Sequence, residues 1–127
     1  MTSIETDDFL FINVHLEFWS KHFRNKELNK LYNFIKLHKD KNIILVGDFN
    51  VECNDKYFLK FINKLSKLNI NLVDNKEKTF RKKIIDFIFV SNTYKILDTW
   101  VEKDTNKISD HKLLLVKIKK DKSDIIN

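Results

Sequence analysis

The sequence predicts an α/β (α+β) protein in which helices pack on one face of a mixed sheet. Apolar runs of strand length, rich in β-branched residues, recur along the chain, and two longer segments repeat apolar residues at helical spacing. Strands first alternate with helices and then follow one another directly, which favours a layer of helices on a sheet. With 127 residues and 43% apolar content, the chain can form a single core.

The elements follow in chain order. Five segments have the composition of strands: residues 9–16, 43–46, 84–90, 94–101 and 112–119. Two segments have the apolar spacing of amphipathic helices, residues 20–38 and 54–68. In the first helix, Phe23 belongs to the apolar face and lysines form the outer face, whereas Asn54 is the expected N-cap of the second.

Composition excludes several classes of protein. There is no proline, Gly/Ser-rich linker or internal repeat, so no domain boundary is predicted. Cys53 is the only cysteine and cannot form an intrachain disulfide, so an intracellular protein is the simplest interpretation. No apolar stretch reaches membrane-spanning length, and the polar, acidic start differs from a secretory signal.

The formal net charge of +6 suits an anionic partner such as nucleic acid or phospholipid. Nearly all of the positive charge is lysine, and lysine, asparagine and isoleucine are all abundant. An AT-rich coding sequence produces the same composition whatever the function. Charge alone therefore favours a nucleic-acid partner only modestly.

The single glycine, Gly47, ends the buried strand at 43–46 and precedes Asp48, Phe49 and Asn50. Glycine at a strand end permits a sharp turn or a close backbone approach. An acid and an amide at the carboxyl end of a buried strand lie where open α/β sheets place their chemistry. An Asx-rich turn is the alternative interpretation.

Three further segments carry polar residues beside apolar strands. They are Asn13-Val14-His15-Leu16, Ile85-Asp86-Phe87-Ile88 and Ser109-Asp110-His111. Each is weak alone, because a single histidine or aspartate beside apolar residues is more often structural. Together with Gly47-Asp48-Phe49-Asn50, and in this order, they resemble the endonuclease/exonuclease/phosphatase superfamily. That superfamily includes pancreatic-type deoxyribonucleases, abasic-site endonucleases, inositol-polyphosphate phosphatases and neutral sphingomyelinases.

The resemblance runs from about residue 9 to residue 119 and is to the carboxyl-terminal half of the family's domain. It implies half of a four-layered α/β sandwich and metal-dependent hydrolysis of a phosphate ester. The substrate that the resemblance implies is a phosphodiester or a phosphomonoester, and nucleic acid is one candidate. The expected ion is Mg²⁺ or Mn²⁺, because the oxygen donors are hard ligands and a lone cysteine cannot form a thiolate site.

The resemblance also implies catalytic roles. Asp48 is expected to orient or deprotonate the attacking water, and Asn50 to hold that water or a phosphate oxygen. His111 is expected to contact the scissile phosphate or transfer a proton, with Asp86 accepting its other N–H, because such a pair fixes the tautomer and raises the imidazole pKa. His15 matches a second histidine that contacts the phosphate.

The remaining assignments concern the metal and the substrate. Asp48, Asn50 and Asp110 are the expected metal ligands. Asn13 shares the strand face of His15 by the period of two and is expected to support the substrate. Thr79, in a Thr-aromatic pair, is the second expected substrate-binding residue.

The family's amino-terminal half contributes an asparagine on one strand and a metal-binding glutamate on another. Residues 1–8 are too short to form those strands, and no strand is expected around Glu5. We therefore expect residues 1–127 to form one truncated domain whose open sheet face favours a dimer or a complementary amino-terminal half. Three interpretations stay open: a metal-dependent hydrolase, a non-catalytic remnant that binds nucleic acid non-specifically, and an unrelated α/β domain.

Overall fold

The elements alternate between strand and helix in the first half of the chain and are strands in the second half. The computed structural model describes residues 1–102 and 109–121. Its elements are β1 (Thr2–Glu5), β2 (Phe9–His15), α1 (Lys21–Leu37), β3 (Asn42–Asp48), α2 (Lys56–Lys67), β4 (Ile70–Leu72), β5 (Asp86–Ser91), β6 (Tyr94–Val101) and β7 (Leu114–Lys120). Within these described residues, no helix is both long and apolar enough to cross a bilayer.

Five strands form one mixed sheet in the order β1-β2-β3-β5-β4. β2 and β3 are parallel, whereas the pairs β1–β2, β3–β5 and β4–β5 are antiparallel. The register places His15 beside Asp48 and Asp48 opposite Asp86. Three polar residues from distant parts of the sequence therefore lie in a row along one edge of the sheet.

Both helices cover one face of this sheet, as predicted. Residues on that face alternate along β2, where Leu10, Ile12 and Val14 are buried. The core also contains a group of phenylalanines, with the ring of Phe49 centred 5.4–6.2 Å from its neighbours: Phe58, Phe61, Phe87 and Phe89. Aromatic pairs at such separations add about 0.5–1.5 kcal/mol each to the burial of their apolar area.

The opposite face is covered in part by the last two strands, which form a separate two-stranded sheet. Leu114, Val116 and Ile118 of β7 pack against Ile88 and Val90 of β5. The sequence predicts strands in both segments but does not predict that they form a sheet of their own. β5 is apolar on both faces, so a third layer is needed to bury its second face.

The helix ends differ slightly from the prediction. Ser20 is the N-cap of α1 and accepts a hydrogen bond from the backbone N–H of Phe23. The side chain of Phe23 is exposed, so its expected place on the apolar face is wrong. The N-cap of α2 is Asp55 and not Asn54, because the Asp55 carboxylate accepts from the N–H of Phe58.

Two strands have no counterpart in the sequence prediction. β4 has three residues, and β1 is a fully exposed edge strand that contains Glu5, contrary to the expectation that no strand surrounds this residue. β1 is antiparallel to β2, so Glu5 lies opposite Leu10, at the end of β2 remote from His15. There Glu5 forms an ion pair with Lys41, with Nζ and Oε1 2.6 Å apart.

Gly47 provides the close backbone approach that the sequence predicts. Its φ is +147°, and a Cβ atom on it would lie 2.0 Å from the carbonyl oxygen of Val14 on the adjacent strand. Such a contact is far inside van der Waals separation, and L side chains rarely adopt this backbone conformation. Glycine at this position allows β2 and β3 to stay paired up to His15 and Asp48.

Candidate active site

The row of polar residues at the sheet edge lines an open groove of about 550 Å³. The groove residues that the sequence singles out are Asn13, His15, Asp48, Asp86 and His111. Asn13 and His15 are exposed because β2 alternates, with its apolar side chains directed to the helices. His111 comes from the segment before β7. It forms an isolated bridge with Phe80 and lines the same groove.

His111 lies between two carboxylates. Its Nδ1 atom is 2.8 Å from Oδ2 of Asp86, a hydrogen-bond distance, and its Nε2 atom is 3.5 Å from Oδ2 of Asp48. The Nε2 atom of His15 lies 3.6 Å from the same oxygen of Asp48. The predicted hydrogen bond between Asp86 and His111 is confirmed.

Burial raises the pKa of Asp48, whose side chain is only 16% exposed, and the charge of Asp86 raises it further. The backbone N–H of Asn50 and the two histidines act in the opposite direction without cancelling the effect of burial. A carboxylate with a raised pKa in a groove is a characteristic of functional sites, although structural networks produce it too.

Burial alone would lower the pKa of His111, but the hydrogen bond to Asp86 and the negative charges of Asp86, Asp48 and Asp110 raise it above its usual value. The imidazole also stacks on Phe80, with ring centroids 4.6 Å apart and an angle of 29° between the planes. The ring is therefore fixed by stacking as well as by its hydrogen bond.

Asn50 holds the turn that follows Gly47. Its φ is +48°, a conformation that asparagine tolerates better than most residues. Its backbone N–H donates to Oδ1 of Asp48 over 2.9 Å, and its Nδ2 donates to the carbonyl oxygen of Leu16 over 2.7 Å. These bonds fix one carboxylate oxygen of Asp48 and the orientation of the Asn50 amide.

The predicted metal ligands only partly match the donors that the structure brings together. In the described ranges, Asp48, Asp86 and His111 each offer a ligand atom, and these atoms lie within 4.8 Å of one another. Asp110 is exposed and does not belong to that group. Asp48 is thus common to the predicted and the observed sets.

Thr79 has a different position from the one expected of a substrate-binding residue. Its side chain is fully buried, at 0% exposure, so contact with a substrate in the groove does not match the structure. Its hydroxyl accepts from the backbone N–H groups of Ile85 and Asp86 over 3.2 and 3.3 Å, and its carbonyl accepts from the N–H of Lys112 over 2.7 Å. Thr79 therefore connects the segments that carry Asp86 and His111.

Sequence reasoning assigned no role to three residues of the site, although two of them, Phe80 and Ser109, belong to segments that it singled out. Phe80 stacks on His111, Lys112 lines the groove, and Ser109 accepts a hydrogen bond from the N–H of His111 over 3.1 Å. The aromatic member of the Thr-aromatic pair was the available signal for Phe80. Comparable signals are lacking for Lys112, which resembles the many other lysines.

Comparisons with known proteins support the fold. No family model matches the sequence, and no curated protein matches it. Many solved structures superpose with it, and three of them are an endonuclease/exonuclease/phosphatase protein from Bacteroides vulgatus (16% identity, TM-score 0.67), mannosyl-6-phosphatase from Bacteroides thetaiotaomicron (24%, 0.62) and the 3′ phosphatase NExo from Neisseria bound to a product DNA hairpin (18%, 0.68).

The superpositions cover 88%, 87% and 92% of this chain but 49%, 51% and 63% of the respective structures. The chain therefore spans from about half to less than two thirds of the length of these three structures. At identities of 24% or less, this similarity concerns the fold. The described part of the chain has the fold of the endonuclease/exonuclease/phosphatase superfamily, over about half of the length of its solved members.

Proposed function

We propose that this chain carries part of the active site of a metal-dependent hydrolase that cleaves phosphodiesters or phosphomonoesters. The observation that carries the proposal is the placement of His111 between Asp86 and Asp48 in an open groove. An imidazole held by one carboxylate beside a second, partly desolvated carboxylate can serve both proton transfer and phosphate binding.

In this proposal Asp48 orients the attacking water and accepts its proton. Its raised pKa brings the carboxyl closer to the operating pH, which makes it a better base than an ordinary aspartate. Asn50 keeps one oxygen of Asp48 fixed through its backbone N–H, so the other oxygen points toward the histidines.

His111 acts as the electrostatic partner of the phosphate. Asp86 accepts from Nδ1 and favours the protonated form of the ring, in which Nε2 would donate to a phosphate oxygen and stabilise the charge that develops there. His15, which is exposed at the end of β2, would contact the same phosphate from the other side of Asp48. Asn13 would support the substrate from the same strand face, and Thr79 acts through the segments that it connects.

The donors fit a hard divalent ion such as Mg²⁺ or Mn²⁺. Asp48 is desolvated beside Asp86, and a cation would offset their mutual repulsion. We propose that Asp48 holds the ion and that Asn50 and Asp110 are the other protein ligands. The alternative ligand set is Asp48 with Asp86 and His111, whose donor atoms lie close together. When bound, the ion would polarise phosphate oxygens and stabilise negative charge in the transition state.

We propose that residues 1–127 act as one domain unit, which corresponds to about half of the Bacteroides vulgatus structure. A second proposed function is a non-catalytic form of this fold that binds nucleic acid non-specifically through its lysines. A dimer, or a complementary amino-terminal half, is the proposed partner that would complete the active site.

The test is hydrolysis of bis(p-nitrophenyl) phosphate, p-nitrophenyl phosphate and plasmid DNA by the purified chain, with Mg²⁺ or Mn²⁺ and with EDTA. Metal-dependent turnover that Asp48→Ala abolishes would support the hydrolase. A second readout is thermal unfolding, because Mg²⁺ should raise the Tm of the wild type and not that of Asp48→Ala. Absence of both effects, with salt-sensitive DNA binding retained, would favour the remnant instead.

A further inference from the structure

Two large aromatic side chains are exposed in the loop that follows β2. Trp19 is 87% exposed and Phe18 is 54% exposed, and their rings contact each other edge to face with centroids 4.7 Å apart. We call Phe18 and Trp19 the aromatic loop. Exposed aromatic residues that pack on each other, and not on the core, are typical of a binding surface.

The aromatic loop is held in place by α1. Nη1 of Arg24 lies 3.4 and 3.5 Å from the carbonyl oxygens of Glu17 and Phe18, and Oε1 of Glu27 accepts from the N–H of Glu17 over 2.8 Å. A further bond runs from the N–H of Trp19 to Oε1 of Glu17 over 3.1 Å. The aromatic rings are therefore presented by an anchored backbone.

A second loop beside the groove is basic. Arg81, Lys82 and Lys83 are exposed between Thr79 and β5, and we call them the basic loop. The guanidinium of Arg81 lies 5.0 Å from the ring centroid of Phe80, which in turn stacks on His111. The guanidinium of Arg81 thus contacts Phe80, and Phe80 contacts His111 in the groove.

The two loops lie on opposite sides of Asp48. The aromatic loop follows the carboxyl end of β2 and the basic loop precedes the amino end of β5, and both ends are at the same edge of the sheet. β3 lies between them, so the strands that carry the loops are about 10 Å apart, twice the spacing of neighbouring strands. A ligand that touches both loops must therefore pass the end of β3 that carries Asp48.

We propose that the aromatic loop and the basic loop bind a single-stranded polynucleotide that crosses the groove. An unpaired base stacks on Trp19 and Phe18, and backbone phosphates pair with Arg81, Lys82 and Lys83. Base stacking on an aromatic platform beside a positively charged track is the general mode of binding to single strands. The inference rests on the proposed function in one respect, namely that the phosphate between the loops is the one that reacts.

The arrangement favours a single strand over a duplex and over a lipid surface. In a duplex both faces of a base are already stacked, so the aromatic loop would have no partner. A lipid surface would need aromatic and basic residues together on one protruding face. Here an acidic groove with Asp48 and Asp86 separates them.

The experiment measures binding by the full chain in EDTA, so that no turnover contributes. The probes are a labelled oligothymidylate of about a dozen nucleotides, a duplex of the same length, and vesicles of phosphatidylcholine and phosphatidylserine. The variants are Trp19→Ala, Trp19→Phe, and Arg81→Ala combined with Lys82→Ala. Leu37→Ala is the control, since Leu37 is 83% exposed at the other end of α1, about 25 Å along the helix.

We expect the single strand to bind more tightly than the duplex. Trp19→Ala should lower affinity for the single strand about tenfold, the size of one lost base stack, without changing the salt dependence. Trp19→Phe should restore most of the affinity, and Leu37→Ala should leave it unchanged. The double substitution in the basic loop should make the slope of log affinity against log salt shallower by about one unit or more.

Equal affinity for single strand and duplex, an unaffected Trp19→Ala variant, or binding to vesicles alone would each overturn the inference. Its failure is separable from failure of the proposed function, because binding is measured without turnover. Hydrolysis of bis(p-nitrophenyl) phosphate by the wild type, a substrate without a base, reports on the hydrolase alone.

Discussion

Asp86 and His111 lie 25 positions apart in the chain, yet Oδ2 of the one is 2.8 Å from Nδ1 of the other. This contact joins the first residue of β5 to the segment before β7, and it fixes the imidazole that faces Asp48. The first two predictions concern this pair.

Replacing Asp86 with asparagine should lower the pKa of His111, because the variant loses the hydrogen bond to a charged acceptor. An NMR titration of the imidazole C–H signals checks this. Asp110→Asn is the matched control and should lower the pKa less, since Asp110 acts only through its charge. In an active preparation Asp86→Asn should also reduce kcat by about 10²–10⁴-fold. An unchanged titration would contradict the role given to Asp86.

The stability of the chain should depend on pH through His111. The folded-state pKa of His111 is raised above its unfolded value, so its contribution is complete below the ordinary histidine range and is lost as pH rises through the folded pKa. Urea unfolding without divalent ions should therefore show stability falling on the alkaline side of pH 6.5. His111→Gln should lack this decrease, and a wild type that gains stability over the same range would contradict the assignment.

Replacing Thr79 with valine should destabilise the chain by about 1–3 kcal/mol, because the variant leaves the buried N–H groups of Ile85 and Asp86 without their acceptor. Valine has nearly the same shape, so a cavity does not contribute. Thr79→Ser keeps the hydroxyl and is the control. Urea unfolding measures both variants. A loss in Thr79→Ser larger than that in Thr79→Val would mean that the methyl group, and not the hydroxyl, is what matters.

Replacing Gly47 with alanine should cost on the order of 3 kcal/mol or more, because the new Cβ would meet the Val14 backbone and a positive φ is unfavourable for alanine. Ser3→Ala, on the exposed edge strand β1, should change stability by less than about 0.5 kcal/mol. Chemical unfolding of both variants is the measurement. A Gly47→Ala variant as stable as Ser3→Ala would show that β2 and β3 can separate at little cost.

The sequence predicts the parts of the fold that rest on strong apolar patterns. β2, β3, β5 and both helices combine buried runs with clear periodicity, and residues 94–101 match β6 at both ends. β1 was missed because all four of its residues are exposed, and β4 because three residues give no periodic signal. The third layer depends on which face of β5 each strand covers, and that information is not local in the sequence.

The candidate site, like the fold, has parts that the sequence predicts and parts that it does not. The family resemblance implies that Asp86 meets His111, and the structure contains this contact. The burial of Thr79 and the stacking of Phe80 on His111 depend on how the segment before β5 pairs with the segment before β7. Such pairing between irregular segments has no periodic signal.

β5 is covered on both faces, and this has a consequence for motion at the site. Backbone amides of Phe87–Val90 are expected to be among the last to exchange with deuterium, because exposing them requires both the helices and the β6–β7 pair to separate from the sheet. Asp86 is the first residue of β5, next to this slow-exchanging segment. His111 lies outside the strands, in the segment just before β7. Fluctuations in the distance between the two side chains therefore arise mainly from the His111 side, on the timescale of local opening.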